Sequence, residues 1–170
     1  MDCRKYLLAA ALAAAAVPAA AAPVAPATPA TGRALVLIPL TLTKIDDLDF
    51  GTVVSSNVSG MVAIDATTGS RTVAGGVSAV ASDTGHRARF ATAGSPNQSV
   101  IVMITAPLAL ANGSGDTISV LALTLDGPPV RTIDPVTRNF FFGIGGVILI
   151  GADQPEGVYQ ATLDITPTYL

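Results

Sequence analysis

His86 is the only histidine of the chain, and Asp83 lies three residues before it, close to several serines. In a hydrolase, a histidine held by a carboxylate takes the proton from a serine hydroxyl. The sequence lacks the G-x-S-x-G elbow that exposes such a serine, and the region is typical of a polar loop that leads into a strand. We therefore interpret His86 as a solvated loop residue and predict no catalytic residues.

Asp46, Asp47 and Asp49 form the densest acidic cluster, and carboxylate oxygens are ligands that calcium prefers. The spacing of an EF-hand loop is missing. In a strand, Asp47 and Asp49 would share the face opposite Leu48 and Phe50. We interpret the cluster as a solvated turn, with a weak calcium site as the alternative. One histidine and one cysteine in the whole chain cannot supply the usual zinc ligands.

Gly143-Ile144-Gly145-Gly146 has the glycine density of a nucleotide-binding loop. Such a loop holds phosphate at the N-terminus of a helix that follows it directly. Residues 147–150 are instead strand-like. We interpret the glycines as a tight turn or bulge, and we expect no cofactor.

The elements that must position these residues are β-strands. Of 170 residues, 50% are apolar and 12% are charged, and 16 glycines and 12 prolines supply many turns. After Arg33 no apolar periodicity of helical length is present, whereas short β-rich runs recur between turn signals. Ten runs are predicted to be strands: 34–43, 48–55, 60–66, 71–74, 87–92, 99–105, 118–125, 137–142, 147–150 and 158–169.

Two of these runs alternate between apolar and polar residues, which predicts strands that bury one side. Their shared faces are Val100, Val102 and Ile104 in one run, and Tyr159, Leu163, Ile165 and Tyr169 in the other. The predicted core includes Phe50, Val102, Ile104, Phe142, Leu163 and Ile165. Ten short strands are enough for the two sheets of an all-β, mostly antiparallel, immunoglobulin-like β-sandwich.

The N-terminal segment predicts export. A basic pair precedes an apolar stretch, and small residues offer an A-x-A cleavage site that ends at Ala21, so residues 1–21 are predicted to be a signal peptide. A membrane anchor is disfavoured because Pro18 breaks the stretch, which is shorter than the roughly 20 residues of a span. Residues 22–32 form a Pro/Ala-rich linker, and residues 33–170 form the predicted sandwich domain.

The net charge and the cysteine content of the chain limit the kinds of partner and the compartment that the sequence allows. Cleavage after Ala21 leaves 7 basic and 11 acidic residues, a net charge of −4. Nucleic-acid binding needs clustered Lys and Arg and is disfavoured, and no membrane span remains. The only cysteine, Cys3, lies in the segment removed, and a domain of this size folds without a disulfide. We expect a secreted protein of the periplasm or cell surface.

The C-terminus carries the most informative pattern. Gly157 is the fourteenth residue from the end, an alternating run follows it, and Tyr169 is penultimate. In this pattern the chain resembles the C-terminal strand of chaperone–usher pilus subunits and of spore-coat-U-like secreted domains, where such a glycine opens a strand that ends near a penultimate aromatic residue. Pro167 removes one donor from the ladder and predicts an edge position.

The resemblance extends to three further motifs: Leu48-Asp49-Phe50-Gly51, Phe142-Gly143-Ile144-Gly145-Gly146-Val147-Ile148-Leu149 and Pro155-Glu156-Gly157-Val158-Tyr159. Together they make nearly all of the chain after the linker similar to the bacterial secreted proteins of domain-of-unknown-function family 4402. The resemblance implies a β-sandwich and export, and it brings no catalytic residues.

An incomplete sandwich exposes an apolar groove that an extended strand of a neighbour can fill. Residues 34–38 follow a flexible leader and are a candidate donor strand, with Ala34, Val36 and Ile38 on one face. The alternative is that they form the first strand of a closed domain. The candidate C-terminal assembly strand comprises Gly157, Tyr159, Leu163, Ile165 and Tyr169.

The sequence therefore predicts a non-enzymatic, pilus- or coat-like structural subunit that assembles by β-strand complementation. Its expected partners are copies of itself or related subunits and a periplasmic chaperone. A closed, monomeric adhesive or ligand-binding module is the alternative. An enzyme is disfavoured because no paired acid and base can be identified.

Overall fold

The computed structural model describes residues 28–170, so the predicted signal peptide lies outside the described residues. The chain divides into one unit that ends at Leu35 and a second unit, Val36–Leu170. Within the first unit, residues 28–35 are exposed and have no regular secondary structure. The second unit is built from β-strands. Residues 28–170 contain no helix, and therefore none that could cross a bilayer.

Twelve strands form in the described residues, and their pairings are antiparallel. In chain order they are β1 (Thr41–Asp46), β2 (Val53–Val54), β3 (Gly60–Ile64), β4 (Arg71–Gly75), β5 (Ser78–Ala79), β6 (Ala88–Ala93), β7 (Ser99–Thr105), β8 (Ala109–Ala111), β9 (Thr117–Leu125), β10 (Val130–Thr132), β11 (Asn139–Ile150) and β12 (Asp164–Tyr169).

The large sheet has seven strands and is organised around β11. Residues 139–144 of β11 pair with β6, which carries β1 on its other edge. Residues 146–150 pair with β3, which carries β4. Residues 144–149 pair with β9, which carries β8. The long β11 is therefore the common partner that joins distant parts of the chain.

The glycines of β11 do not form the predicted tight turn, since the strand continues without interruption from Asn139 to Ile150. A Cβ atom on Gly145 would overlap the carbonyl oxygen of Ile64 and lie 2.6 Å from the amide nitrogen of Ala66. The glycine is needed because a neighbouring segment crosses close to the strand, not because the chain turns. A bulge does follow the glycines, where the register with β9 shifts after Val147.

The small sheet has three strands in the order β10-β7-β12. The predicted inward face of β7 is confirmed, because Val100 and Val102 are buried and Ile104 is half-buried between exposed neighbours. Pro167 lies in β12, which pairs with β7 alone among the described strands. The predicted edge position of this proline is therefore confirmed.

Two apolar clusters fill the interior of this sandwich-like arrangement. The first consists of Ala88, Phe90, Val102, Phe142 and Ile144, and half-buried Ile104 and Ile165 of the small sheet pack against it. The second consists of Val62, Val77, Ile118, Ile148 and Ile150. No residue of β7, β10 or β12 belongs to the second cluster or is among the half-buried apolar residues that pack against it. The small sheet therefore covers the first cluster and leaves the second to loops.

Because the small sheet covers the first cluster and not the second, the predicted core residues differ in how deeply they are buried. Val102 and Phe142 are buried, as predicted. The prediction was wrong for Phe50, Ile104, Leu163 and Ile165, which are only half-buried. Phe50 packs against the second cluster, where no strand of the small sheet lies above it. The other three lie in or just beside short strands of the small sheet and keep part of their surface exposed.

Several predicted strand boundaries were also wrong. Short strands such as β5, β8 and β10 were missed because two or three residues carry no periodic signal. Residues 34–40 lie outside the strands, so 34–38 do not form a first strand. Four larger differences concern predicted runs. Run 34–43 becomes Thr41–Asp46, run 48–55 shrinks to Val53–Val54, run 158–169 starts at Asp164, and runs 137–142 and 147–150 merge into β11. The other runs match the strands to within two residues at their ends.

Candidate functional site

A groove of about 1230 Å³ with a mixed apolar and polar lining lies against the second cluster, the one that the small sheet leaves uncovered; we call it the open groove. Most of its lining comes from the inner faces of β9 and β11, from residues 47–55 and from residues 154–163, and the rest from Lys44, Asp83, Phe90, Pro107 and Leu110. Its apolar lining includes Phe50, Ile118, Val120, Leu123, Ile148 and Ile150. The groove is therefore a gap in the sandwich where a further element could pack.

Residues 155–163 form a border of the open groove with little main-chain pairing. Within this stretch, the main-chain bonds to other main-chain groups are the two between Gln160 and Ala111, at 3.0 and 3.1 Å. The hydroxyl of Tyr159 donates to the carbonyl oxygen of Pro155 at 2.7 Å and accepts from the side-chain amide of Gln154 at 3.0 Å. Most N–H and C=O groups of the border are left open for an added strand.

The Leu-Asp-Phe-Gly motif lies between β1 and β2, where Asp49 forms a main-chain bridge with His86, and it places Phe50 in the groove lining. The carboxylate of Asp49 accepts a hydrogen bond from the N–H of Gly51 at 2.7 Å, and Gly51 has a φ of +68°. A Cβ atom on Gly51 would lie 2.6 Å from the amide nitrogen of Gly85. Arg71 then donates to the carbonyl oxygen of Phe50 at 3.2 Å. The motif is explained by backbone geometry, since only glycine tolerates both constraints.

The segment predicted to be a donor strand is exposed. Ala34 is exposed, Val36 is 90% exposed and Ile38 is 46% exposed. The segment is anchored at Ile38, whose N–H donates to Oγ of Ser95 at 2.9 Å and whose carbonyl oxygen accepts from the hydroxyl of Tyr169 at 2.9 Å. That hydroxyl in turn accepts from the N–H of Ser95 at 2.7 Å. We call Ile38, Ser95 and Tyr169 the Tyr169 latch.

The predicted C-terminal assembly residues divide between two places. Gly157, Tyr159 and Leu163 line the open groove. Ile165 packs against the first cluster, and Tyr169 closes the latch with Ile38. The structure therefore brings Ile38, from the predicted donor segment, together with Tyr169, from the predicted C-terminal assembly strand.

Sequence reasoning missed Ser95 and its neighbour Gly94. A Cβ atom on Gly94 would collide with the Tyr169 hydroxyl and lie 2.7 Å from Cδ2 of Leu40. Glycine at this position lets the latch close. The available signal was the sequence Gly-Ser-Pro between two strand runs, which is typical of a turn and says nothing of a distant tyrosine.

Removing the Tyr169 hydroxyl is expected to loosen the latch. Tyr169→Phe keeps the ring but loses two hydrogen bonds and leaves the N–H of Ser95, a buried residue, without its partner. We expect a loss of about 1 to 3 kcal/mol in the free energy of unfolding and faster hydrogen exchange at the Ile38 amide. In the control, Tyr159→Phe, exchange at Ile38 should stay as in the wild type. Equal exchange at Ile38 in Tyr169→Phe and wild type would contradict the latch.

The polar residues considered for chemistry have separate partners. Asp46 lies 3.6 Å from Arg89, and Asp47 lies 2.7 Å from Lys44. The carboxylate of Asp83 accepts from the hydroxyl of Thr52 at 2.6 Å rather than from a histidine. The exposed position of His86 agrees with a solvated loop residue. Across residues 28–170, no group of three His, Cys, Asp or Glu side chains is placed to hold a metal ion.

Two turn aspartates have carboxylates that accept main-chain hydrogen bonds. The N–H of Thr68, 2.6 Å from the carboxylate of Asp65, lowers the pKa of Asp65 below its ordinary value of 3.8. The N–H of Thr137, 2.7 Å from the carboxylate of Asp134, lowers the pKa of Asp134 in the same way. Both carboxylates therefore favour the ionised form in the folded chain.

These lowered pKa values predict an acid-sensitive fold. A carboxyl group whose pKa is depressed on folding contributes stability above its unfolded pKa, and this stability is lost as the pH falls through the folded pKa. We expect the thermal midpoint to decrease as the pH falls below 3.8, the ordinary value for aspartate. Asp65→Asn keeps an acceptor but cannot titrate, so its midpoint should depend less on pH in that window. An identical pH profile for the variant would exclude Asp65 as a contributor.

The fold and the site define a class: an all-β, sandwich-like domain with an open groove beside its core. Residues 40–169 match the family described as Domain of unknown function (DUF4402), and the chain belongs to that family. The match extends from the residue before β1 to the last residue of β12, so it includes every strand described. The family predicted from the sequence motifs is therefore confirmed. No curated protein and no solved structure matches the chain.

Proposed function

We propose that this protein is an exported, non-enzymatic structural or surface-assembly subunit with an immunoglobulin-like fold that acts by β-strand complementation. In this proposal the open groove accepts a strand of another subunit. The observation that carries it is the open groove, in which apolar side chains of the second cluster lie beside residues 155–163, whose main chain is largely unpaired and leads directly into the edge strand β12. An added strand would gain main-chain bonds from the border and apolar contacts from the groove.

The donor in this proposal is the segment 34–38 of a second subunit. Burying one Leu or Val side chain contributes about 1.5 to 3 kcal/mol, and one main-chain hydrogen bond contributes about 0.5 to 1.5 kcal/mol net. Association costs about 4 to 15 kcal/mol, so a single apolar anchor would not suffice. Val36 and Ile38, which share one face of the segment, are 90% and 46% exposed, and together with a row of main-chain bonds they can exceed the lower part of this range. These magnitudes favour a strand over an isolated contact.

The proposal also includes export and a chaperone. A signal peptide over residues 1–21 would deliver the chain to the periplasm or cell surface. A subunit with an open apolar groove is prone to aggregate before it assembles, because exposed edges and apolar surface recruit other chains. A periplasmic chaperone that covers the groove would prevent this. The functional analogues are the chaperone–usher pilus subunits and spore-coat-U-like domains that the C-terminal pattern resembles.

A charge on the donor segment tests the proposal. The protein recovered from the periplasm or medium should form larger species as its concentration rises, measured by analytical ultracentrifugation. Val36→Asp should abolish these species, because an unpaired carboxylate is costly in an apolar groove. The control is Val136→Asp, since Val136 is a valine of similar exposure, 85%, between β10 and β11. Val136→Asp should assemble like the wild type, and both variants should unfold at the wild-type midpoint.

A wild-type protein that stays monomeric at every concentration would contradict strand complementation. The runner-up function would then stand, a closed periplasmic or surface module that binds a ligand or a target. The groove also supports that alternative, because Tyr159 and Gln154 offer polar groups beside an apolar lining.

A further inference from the structure

We propose that Pro167 blocks the free edge of β12, so that the small sheets of two copies of this chain cannot pair side by side into one sheet. β12 lies at the edge of the small sheet and pairs with β7 alone among the described strands. The proposal concerns a contact that the fold prevents. It goes beyond the proposed function, and it holds whether or not a strand enters the open groove.

The ladder between β12 and β7 fixes which main-chain groups face the free edge. The strands are antiparallel, and Tyr169 lies opposite Val100. The next residue, Leu170, donates its N–H to the carbonyl oxygen of Ser99 at 3.0 Å. In an antiparallel ladder, hydrogen-bonded pairs alternate with pairs that are not bonded to each other. Counting back from Leu170, the residues that bond to β7 are Thr168, Thr166 and Asp164, and those that face the free edge are Tyr169, Pro167 and Ile165.

The opposite edge of β7 gives the same assignment. Pro167 lies opposite Val102. The N–H of Val102 donates to the carbonyl oxygen of Pro129, just before β10, at 2.9 Å, so it points away from β12. Pro167 therefore removes no hydrogen bond from the ladder within the small sheet. The donor that it lacks is the central one of the free edge.

The sequence of β12 explains why this edge needs a block. The strand carries one charge, Asp164, and its other residues apart from the proline are β-branched or aromatic: Ile165, Thr166, Thr168 and Tyr169. Segments of about six residues with this composition and no proline pair with copies of themselves. A proline at a position whose N–H is not used inside the sheet interrupts such a segment at little cost to the fold. The partner that Pro167 excludes is therefore a second β12.

Another open edge of the fold is closed by side chains. Both β6 and β9 pair with Ile144 of β11, so they lie on opposite edges of that strand. Before Ile144, β9 no longer pairs with β11. There the guanidinium of Arg131 donates to the carbonyl oxygen of Phe141 at 3.1 Å, and the carboxylate of Asp126 accepts from the N–H of Gly143 at 2.7 Å. Side chains thus bond to main-chain groups that a neighbouring strand would otherwise bind. On β12 the missing donor of Pro167 gives the same protection.

Pro167→Val tests the proposal, because valine keeps an apolar side chain at this half-buried position and restores an N–H at the free edge. We would make it in the Val36→Asp chain, so that assembly through the donor segment adds no larger species. The double variant should sediment as dimers and larger species as its concentration rises, whereas the Val36→Asp parent stays monomeric. In these species the amides at positions 165, 167 and 169 should become protected from hydrogen exchange.

Thr168→Val in the same parent is the matched control. It adds the same side chain to the same strand, but the N–H at position 168 bonds to β7, so this variant should sediment like the parent. In the parent, the amides of Thr166 and Thr168 should exchange about tenfold more slowly than those of Ile165 and Tyr169. This measurement needs no substitution at position 167.

Three results would overturn the proposal: a folded Pro167→Val variant that stays monomeric at every concentration, equal association of the Thr168→Val control, or equal exchange of the alternate amides in the parent. Failure of the proposed function is read elsewhere, in a wild-type protein that stays monomeric. In that case Pro167→Val is made in the wild-type chain, and the same larger species with protected amides at 165, 167 and 169 are expected.

Discussion

Phe142→Ala is expected to lower the free energy of unfolding by about 3 to 5 kcal/mol, the range for deletion of a buried aromatic side chain. Phe142 is 2% exposed and belongs to the first apolar cluster, between the large and small sheets. Its ring stacks on Phe90 at a centroid distance of 5.5 Å and meets Phe140 at 6.0 Å. Alanine would leave a cavity between two sheets that are held by strand pairing and cannot simply collapse.

The neighbouring residue provides a close control. Phe141 is 59% exposed on the opposite face of the same strand. Phe141→Ala should change the free energy of unfolding by about 0.5 kcal/mol or less. Chemical denaturation of both variants measures the difference. Similar losses for the two would show that the assignment of inner and outer faces of β11 is wrong.

Gly145→Ala is expected to destabilise the domain by about 3 kcal/mol or more, although it adds a single methyl group. In an open strand this substitution would add about 0.5 to 1 kcal/mol of stability by restricting the unfolded chain. Here the methyl group would overlap the carbonyl oxygen of Ile64 and crowd the backbone of Ala66. Backbone cannot rotate away like a side chain, so β11 and the crossing segment must separate. The clash therefore outweighs the entropic gain.

Gly113→Ala is the control for this substitution. A Cβ atom on Gly113 would meet no atom within 4 Å, and the residue lies in an exposed turn before β9. We expect a change between zero and about 1 kcal/mol in the stabilising direction. Thermal and urea unfolding of both variants give the comparison. A Gly145→Ala variant as stable as wild type would contradict the close crossing at β11.

Strands β7 and β12 show what local sequence rules predict well. Val100, Val102 and Ile104 were placed on the inner face from their spacing alone, because strand side chains alternate with a fixed period of two. Pro167 marked an edge strand for an equally local reason, the absence of a main-chain N–H. Local rules were sufficient in both cases.

Gly145 and Phe50 show where local rules fail. Glycines in a row carry the same signal whether the chain turns or a distant segment crosses, and only the position of Ile64 distinguishes the two. Phe50 was predicted to be buried because it lies opposite Asp47 and Asp49 in a predicted strand, yet its exposure depends on how far the small sheet extends. Neither the close crossing at Gly145 nor the exposure of Phe50 is determined by residues nearby in the sequence.

The long-range side-chain pairs of the fold could not be predicted from the sequence either. Asp126 and Arg131 form an ion pair at 2.5 Å, and Asp126 also accepts from the N–H of Gly143 at 2.7 Å. The latch joins Ile38 to Tyr169 across 131 positions. Such pairs depend on the relative placement of strands that are distant along the chain.

Hydrogen exchange on the monomer and on the assembled protein tests strand complementation most directly. Residues 34–37, and the border 155–163 apart from Gln160, have few hydrogen-bond partners for their main chain in a single subunit, so their amides should exchange rapidly in the monomer. In the assembled protein, both segments should become protected together. Protection of residues 34–37 already in a concentration-independent monomer, or assembly that leaves both segments unprotected, would contradict strand complementation.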